Sequence, residues 1–395
     1  MMRRFNRYIL FEIMKLFLVA LMAVTTLIVM GWVIERAMIE GVRGPAILKL
    51  IPYILPMSLQ FSLPTTLLFA VASVYGRMAA DNEIVAVKSS GVSPSQVMKP
   101  TFLLALILSP VGVWLTDLAA SWGAPGMTQV VVHSLEEIAY HALKTNKNYA
   151  QKGMSIYVKD VEDHWLISPV ITLFGQNGGE TQMISAERAQ LSLDPISDSL
   201  TIELIDFQVD IGTVQLRNGN RETFVLPLDR ATRKNAARDT PASIALSQMS
   251  QQIKNERTKL RAIEDRYMAH VSVAIGLGRS GLFADSVAAE CRGKRLESET
   301  RLRRLQIEPW RRWALGFSCF FFVWMGVPLA IHMRNADYWM TFGICFLPIL
   351  LIYFPLFGLG LDQAKSGAWP PYSVWLGNLF LFIVGGWLIR IVYRS

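Results

Sequence analysis

The 395 residues carry 39 Lys and Arg against 31 Asp and Glu, a formal charge of +8, with 52% apolar letters and only 18% charged. Soluble domains average about 25% charged residues, so this composition excludes an ordinary water-soluble globule and makes lipid part of the solvent. Basic balance and 11 Trp suit helix ends that face anionic headgroups with aromatic rings at the interface. A nucleic-acid partner would need basic residues interleaved with stacking aromatics on a polar segment, and that pattern is absent from the sequence.

The chain begins Met1-Met2-Arg3-Arg4 and runs into an apolar stretch too long for a signal-peptide core, with no small-residue cleavage site near Ile34 to Met38. It is read as a retained first helix. A hydrocarbon core of roughly 30 Å takes about 20 helical residues to cross. Six apolar runs qualify: Leu16 to Ile34, Leu50 to Gly76, Pro100 to Thr116, Trp313 to Met333, Tyr338 to Leu361 and Ser366 to Ile389. The third extends through Asp117 toward Trp122, which puts that carboxylate near an interface. Pro52, Pro56 and Pro64 in the second run each remove an amide donor, and a bent, broken start to that helix is expected. Cys291, Cys319 and Cys345 show no disulfide framework or zinc spacing; the last two are expected to pack as small hydrophobes.

Short-flank Lys and Arg divide unequally. Ten, including Arg3, Arg4, Arg77, Lys88 and Arg390, fall on one side, and six, including Arg36, Arg43 and Lys49, on the other. This bias places both termini in the cytoplasm and the segment between the third and fourth runs across the membrane. There, from Gly153 to Leu228, short alternating apolar stretches are separated by turn residues at Gly175 to Gly179, Asp194-Pro195 and Arg217 to Asn220. Short strands at this spacing predict an antiparallel sandwich or open barrel. After Leu204 the apolar phase slips to Ile205, Phe207 and Val209, and a bulge is expected. From Pro241 to Ile307 the pattern becomes helical and charged, predicting two helices in a hairpin. Its basic excess fits either a solvated face or contact with phosphate-bearing lipid or an acidic partner.

Gly276-Leu-Gly278-Arg-Ser-Gly281 matches a dinucleotide fingerprint in letters but lacks a preceding strand and a βαβ unit, so a helix-helix turn is expected. His133 and His141 flank Glu136-Glu137 without the spacing of a zinc helix. No phosphate-binding Gly-x-x-x-x-Gly-Lys-Ser/Thr occurs, so any ATP cost must be met by another polypeptide. The six runs also lack the paired groups that hydrolysis within a membrane requires, and this chain is not expected to be an enzyme. The loop after the second run is the most informative stretch. Asp81 or Asn82 can cap a short helix, Glu83 suits its first turn, Gly91 supplies a left-handed stop, and Ser93-Pro94 restarts a helix. Such a capped helix on a tight loop suits either a plain linker or a handle for a partner.

The residues from Leu55 through Pro64, then Leu67-Leu-Phe-Ala70, Gly76-Arg77, Glu83, Ala86-Val-Lys-Ser-Ser-Gly-Val-Ser93 and Pro100, are similar to the second span and following loop of the lipopolysaccharide-export permeases, the YjgP/YjgQ (LptF/LptG) family. Glu308-Pro-Trp-Arg-Arg312, Gly326-Val-Pro-Leu329 and Trp375-Leu-Gly-Asn378 also resemble that family. The basic hairpin departs from its better-known members. The likeness implies an α-helical membrane protein with six transmembrane helices, a periplasmic β-jellyroll domain and a charged helical hairpin. Residues 1–124 would hold spans one to three with a coupling helix near 80–91, 125–240 the jellyroll, 241–308 the hairpin and 309–395 spans four to six. It further implies an inner-membrane subunit of an ABC-type exporter, with cytoplasmic termini, that extracts lipopolysaccharide or a similar lipid. Implied partners are a second permease subunit, like or unlike, a cytoplasmic LptB-like ATPase dimer that uses the ATP, and a periplasmic LptC/LptA-like bridge; no cofactor is implied in this chain. Arg77, Asp81, Glu83 and Gly91 would couple to the ATPase. Arg36, Arg43 and Lys49, near the outer ends of spans one and two, are candidate lipid-phosphate partners, with plain interfacial anchoring as the other reading. A membrane-tethered assembly factor that recruits partners without transport is the alternative.

Overall fold

A backbone in hydrocarbon must bond within its own segment, so the apolar runs can only be helices. The computed structural model describes residues 2–40, 45–91, 93–133, 140, 143–144, 147–151, 154–162, 165–173, 182–194, 199–211, 214–218, 222–227, 240–276, 286–333 and 338–394. In chain order the helices are α1 (Met2–Glu40), α2 (Pro45–Ala80), α3 (Glu83–Ser89), α4 (Pro94–Leu118), a π-helical turn at Ala119–Gly123 and α5 (Ala124–His133). After nine strands come a 3-10 turn at Pro241–Ser243, α6 (Leu246–Gly276), α7 (Ser286–His332), α8 (Tyr338–Pro348), a second π turn at Ile349–Tyr353, α9 (Phe354–Ser366), a 3-10 turn at Pro371–Trp375 and α10 (Leu376–Arg394).

Among the described residues, six helical segments are long and apolar enough to cross a membrane: Arg4–Arg36, Ile47–Ala80, Pro94–Val130, Ala289–His332, Trp339–Ser366 and Pro371–Arg394. Each overlaps one of the six runs read from the sequence. Large apolar side chains such as Phe11, Met22, Leu27 and Trp339 are about two-thirds exposed or more, as helices solvated by lipid should be. The chain is therefore a multi-pass membrane protein. It divides into two compact units, one of Met1–Val29, Ile54–Gly123 and Thr240–Ser395, the other of Met30–Tyr53 and Ala124–Asp239.

In the first unit the buried stripe of α1, Ile9, Ile13 and Phe17, recurs every fourth residue, which keeps one helix face inward. It shares an apolar core with Leu67, Leu68, Val71, Val74, Tyr75 and Met78 of α2. Tyr75, fully buried, donates to the Val97 carbonyl at 2.9 Å and lies 2.7 Å from the Thr101 hydroxyl of α4. Thr25 and Ser62 share a 2.8 Å hydrogen bond between α1 and α2. The expected break in α2 is not found: the helix runs unbroken through Pro52, Pro56 and Pro64, because without competing water one missing amide does not end a helix. Cys319 and Cys345 are buried in the same core.

Small residues bring α4 and α7 together. A methyl built on Gly112 would stand 3.0 Å from the Gly316 carbonyl oxygen, and one on Gly316 would collide with the Val113 backbone. The α7 helix has 47 residues, about 70 Å at 1.5 Å per residue, and passes from the charged hairpin into the fourth span with no break at Pro309. Its charged part packs antiparallel to α6. Arg295 pairs with Glu264 at 3.5 Å, Arg301 meets the buried Glu256 at 3.7 Å, and Ile244, Met249 and Leu305 form a small apolar cluster at the base.

In the second unit all strand pairs are antiparallel. These strands are β1 (Asn148–Gln151), β2 (Met154–Tyr157), β3 (Asp160–Glu162), β4 (Trp165–Ile167), β5 (Val170–Leu173), β6 (Gln182–Asp194), β7 (Ser199–Ile211), β8 (Val214–Asn218) and β9 (Glu222–Pro227). Among the described residues they form one nine-stranded sheet with β6 and β7 as its spine. Each end of that spine has its own neighbours, β5 and β8 at one end, β4 and β9 at the other. Ile156, Val158, Leu166, Ile171, Ile184, Ala189, Leu204 and Phe207 cluster with Tyr140 and Leu143 as the core of this unit.

The phase slip near Leu204 is real, but its cause is not a one-residue bulge. Leu204 faces Ala189 and Phe207 faces Ala186, equal spacings on both strands, with Glu187 and Asp206 skipped together. Asp206 sits at φ 50, in the left-handed region. Both strands thus change face at one bend while register is kept. The turns expected within 175–179 and at 195 and 219–220, residues 136–137 and 141, and the turn residues 278–281 lie outside the described residues.

Candidate functional site

The loop between α2 and α4 folds as the letters suggested, with one correction. Asn82 holds the N-cap position of α3 but lies at φ 56 and makes no side-chain cap; the helix begins with the Ala86 amide donating to its carbonyl at 3.0 Å. A left-handed residue aims its side chain away from the first turn, so Glu83 beside the helix dipole is the residue left to favour that end. Gly91 lies at φ +84 with its amide on the Lys88 carbonyl at 3.0 Å, a conformation glycine adopts without strain. Pro94 opens α4 three residues later, and the Ser93 hydroxyl sits 2.9 Å from that of Ser95.

Only one face of α3 is anchored. Ile84 is buried in the core of the first unit and Val87 packs against it, whereas Val85, Ala86 and Ser89 are exposed. Asp81 is exposed and Glu83 half-buried at the start of the helix. Arg77 closes α2 with a guanidinium nitrogen 3.4 Å from Glu12 and 3.4 Å from the Tyr8 hydroxyl, tying α2 to α1, and Glu83 is within its electrostatic reach. Three of the four residues expected here, Arg77, Asp81 and Glu83, thus cluster at one end of a short helix, and Gly91 closes the other.

The other expected group, Arg36, Arg43 and Lys49, is less fully seen. Arg36 is half-buried on α1 and already engaged, Lys49 is exposed on α2, and Arg43 lies outside the described residues.

Sequence reading missed an ionic node in the first unit. Arg312 is fully buried on α7 and donates to the Asp117 carboxylate at the end of α4. Its other terminal nitrogen donates to the Ala242 carbonyl at 2.9 Å, and its Nε faces Glu308 at 3.7 Å without a hydrogen bond. Asp117 also accepts the Leu246 amide at 2.9 Å, capping the start of α6. Glu308 is shared with Arg311 at 2.8 Å. Four pieces of chain, α4, the 3-10 turn, α6 and α7, therefore meet around one Arg312–Asp117 pair. From the sequence Asp117 reads as an interfacial acid, and Arg312 stands in the Glu308-Pro-Trp-Arg-Arg312 likeness. Charges at the edges of apolar runs are ordinary, so neither residue alone signalled the pair.

Among the described residues no three His, Cys, Asp or Glu side chains gather as a metal site. The polar chemistry on view holds and aims helices.

Several of the residues that carried the family likeness are contact points between helices. Methyls on Gly76, Gly326 and Gly377 would meet Thr341, Leu68 and Tyr353, and Asn378 donates to the Ala314 carbonyl at 3.0 Å. Compared with individually curated proteins, the chain has no significant match. A family model described as lipopolysaccharide export system permease LptF/LptG matches residues 7–391, almost end to end, and the chain belongs to that family.

Proposed function

We propose that this permease subunit works in an ABC-type exporter that draws lipopolysaccharide or a similar lipid from the inner membrane and passes it to an LptC/LptA-like periplasmic bridge. Membership of the family supports the export role. The observation that carries the coupling mechanism is α3, one face of which is fixed in the helical core by Ile84 while the other offers Val85, Ala86 and Ser89 to a partner. A cytoplasmic LptB-like ATPase dimer docks there; ATP is bound and hydrolysed in that partner, and this chain contributes no cofactor of its own. Push on α3 reaches α2 through the left-handed Asn82 and reaches α4 through Gly91 and Pro94, so a rigid short helix levers two spans. Arg77, Asp81 and Glu83 set the charge of that joint, and Gly91 sets its angle.

The Lys and Arg bias supports a cytoplasmic position for this loop and both termini and a periplasmic one for the sheet unit, with residues 125–240 acting as the jellyroll and 241–308 as the charged hairpin. Pairing of a free sheet edge with a partner strand would carry lipid onward. A second permease subunit completes the cavity between spans, with Arg36, Arg43 and Lys49 as phosphate partners at its rim.

The test is ATPase activity of the purified complex in vesicles containing lipopolysaccharide. Glu83→Ala and Gly91→Val are expected to abolish lipid-coupled hydrolysis while leaving membrane insertion intact. Unchanged lipid export in both variants would refute the lever, and absence of any co-purifying ATPase would favour a membrane-tethered assembly factor.

A further inference from the structure

The first unit has an aromatic groove that neither α3 nor the Arg312 node explains. Phe320 and Phe321 of α7, Trp369, Tyr372 and Trp375 of the segment after α9, and Phe382 of α10 line a cavity of about 790 Å³, within the ~300–1,000 Å³ span of ligand pockets. Its wall is stiff. Trp375 lies 6.1 Å from Phe317 and 6.3 Å from Phe321, Trp324 stacks on Phe382 at 5.5 Å, and Trp310 meets Tyr372 edge-on at 6.4 Å. Above it the chain turns at Gly367, with the Arg303 guanidinium so close that a methyl on that glycine would stand 3.4 Å from it. Arg303 has no carboxylate or hydrogen-bond partner among the described residues, and its buried Nε is unsatisfied. Lys365 adds a second cation at this rim, 3.9 Å from the largely exposed Asp362.

We propose that this groove binds an anionic phospholipid, with an acyl chain along the aromatic wall and the phosphate at Arg303. The dimensions agree. Phe320 is 17 residues beyond Arg303 on one helix, roughly 25 Å at 1.5 Å per residue, close to one leaflet of a bilayer ~40–45 Å thick with its headgroups. Moving an acyl chain from bilayer to groove gains no hydrophobic free energy, because lipid tails are already apolar. Selectivity must then come from the fit to rigid rings and from the unpaired charge above them. The site is separate from spans one and two, where the exported lipid is proposed to bind, and holds whether or not the chain exports lipid.

Native mass spectrometry of the full-length protein, titrated in detergent with phosphatidylglycerol or phosphatidylethanolamine, tests this. The native chain should retain phosphatidylglycerol in preference. Arg303→Gln should cut that preference about fivefold, the size of one surface cation's effect on anionic lipid, and Arg303→Lys should restore most of it. Leu379→Trp, at a half-exposed position on the groove floor, should lose both lipids while thermal unfolding stays at the native midpoint. Native-like retention in Leu379→Trp, no preference in the native chain, or a co-purified peptide that Leu379→Trp displaces would each overturn the assignment.

Discussion

The Arg312 node makes a quantitative prediction in which two mutations of one ion pair have very different costs. In Asp117→Ala the guanidinium stays fully buried and faces a single carboxylate, Glu308, 3.7 Å away and already shared with Arg311. Breaking a buried pair from one side costs ~3–5 kcal/mol, since the other charge is left uncompensated. Glu308 lowers that figure and the orphaned Leu246 amide raises it, so about 3–4 kcal/mol is expected. In Arg312→Met the charge itself goes and a chain of similar length fills the space. Asp117 then keeps the Leu246 amide and its side chain is 24% exposed, so the cost is about 1 kcal/mol. The double variant carries no buried cation and should be more stable than Asp117→Ala alone by about 2 kcal/mol, a strongly non-additive cycle. Unfolding of the full chain in detergent gives all three values, and hydrogen exchange at the Leu246 amide reports whether the start of α6 has come loose. If Asp117→Ala costs no more than Arg312→Met, the buried guanidinium is not held by Asp117 and the reasoning fails.

Three further outcomes follow from single contacts. Gly91→Val puts a β-branched side chain at φ +84, which should cost roughly 1–2 kcal/mol and appear as faster hydrogen exchange at the end of α3 before any change in global unfolding. Gly316→Leu has no space against the Val113 backbone, whereas Gly31 has open space around it; the first should lose about 3 kcal/mol or fail to accumulate, and Gly31→Leu should stay within ~0.5 kcal/mol of native. In the sheet unit, the Lys147 ammonium bonded to Asp160 at 2.7 Å, helped by the Val161 amide, holds that carboxyl below the usual carboxylate range. A depressed folded-state pKa stabilises above the unfolded value of about 3.9 and stops doing so as pH falls through the folded one. Protection of the Val158 and Val161 amides, measured against their intrinsic exchange rates at each pH, should therefore fall on acidification in the native chain, and Asp160→Asn should remove that acid dependence.

What the sequence made legible was whatever depends on near neighbours in the chain. Span positions follow from unbroken apolar length, and the left-handed stop at Gly91 and the restart at Pro94 follow from residues with fixed backbone preferences. The phase slip at Leu204 was visible as letters, but a single strand cannot say whether its partner slips too. Only the pairing of Leu204 with Ala189 and Phe207 with Ala186 distinguishes a shared bend from a bulge. Asn82 is a good cap by type, and the turn out of α2 overrode that preference by placing it left-handed. The Arg312 node stayed hidden because Asp117 and Arg312 lie 195 residues apart; each alone reads as an ordinary charge at the edge of a greasy run.

The same distance explains why the node matters to the whole first unit. Helix α7 joins the hairpin to the fourth span without an interruption, so a tilt imposed on its charged end is carried into the membrane as a rigid rod. A continuous rod needs a fixed point if its two halves are to move in a defined relation, and Arg312 sits where the hairpin base, α4 and α7 meet. Below it, the Gly112 and Gly316 backbones allow α4 and α7 almost no separation; above it, α6 and α7 are held by the exposed Arg295–Glu264 pair, which resists sliding weakly, and by Arg301 against the buried Glu256. A tilt of the hairpin would therefore act on α4 and α7 together, and α4 is the helix that α3 joins at the other end through Pro94. Cutting the node with Asp117→Ala should therefore uncouple hairpin exchange rates from those of α4, whereas the native chain should show the two changing together.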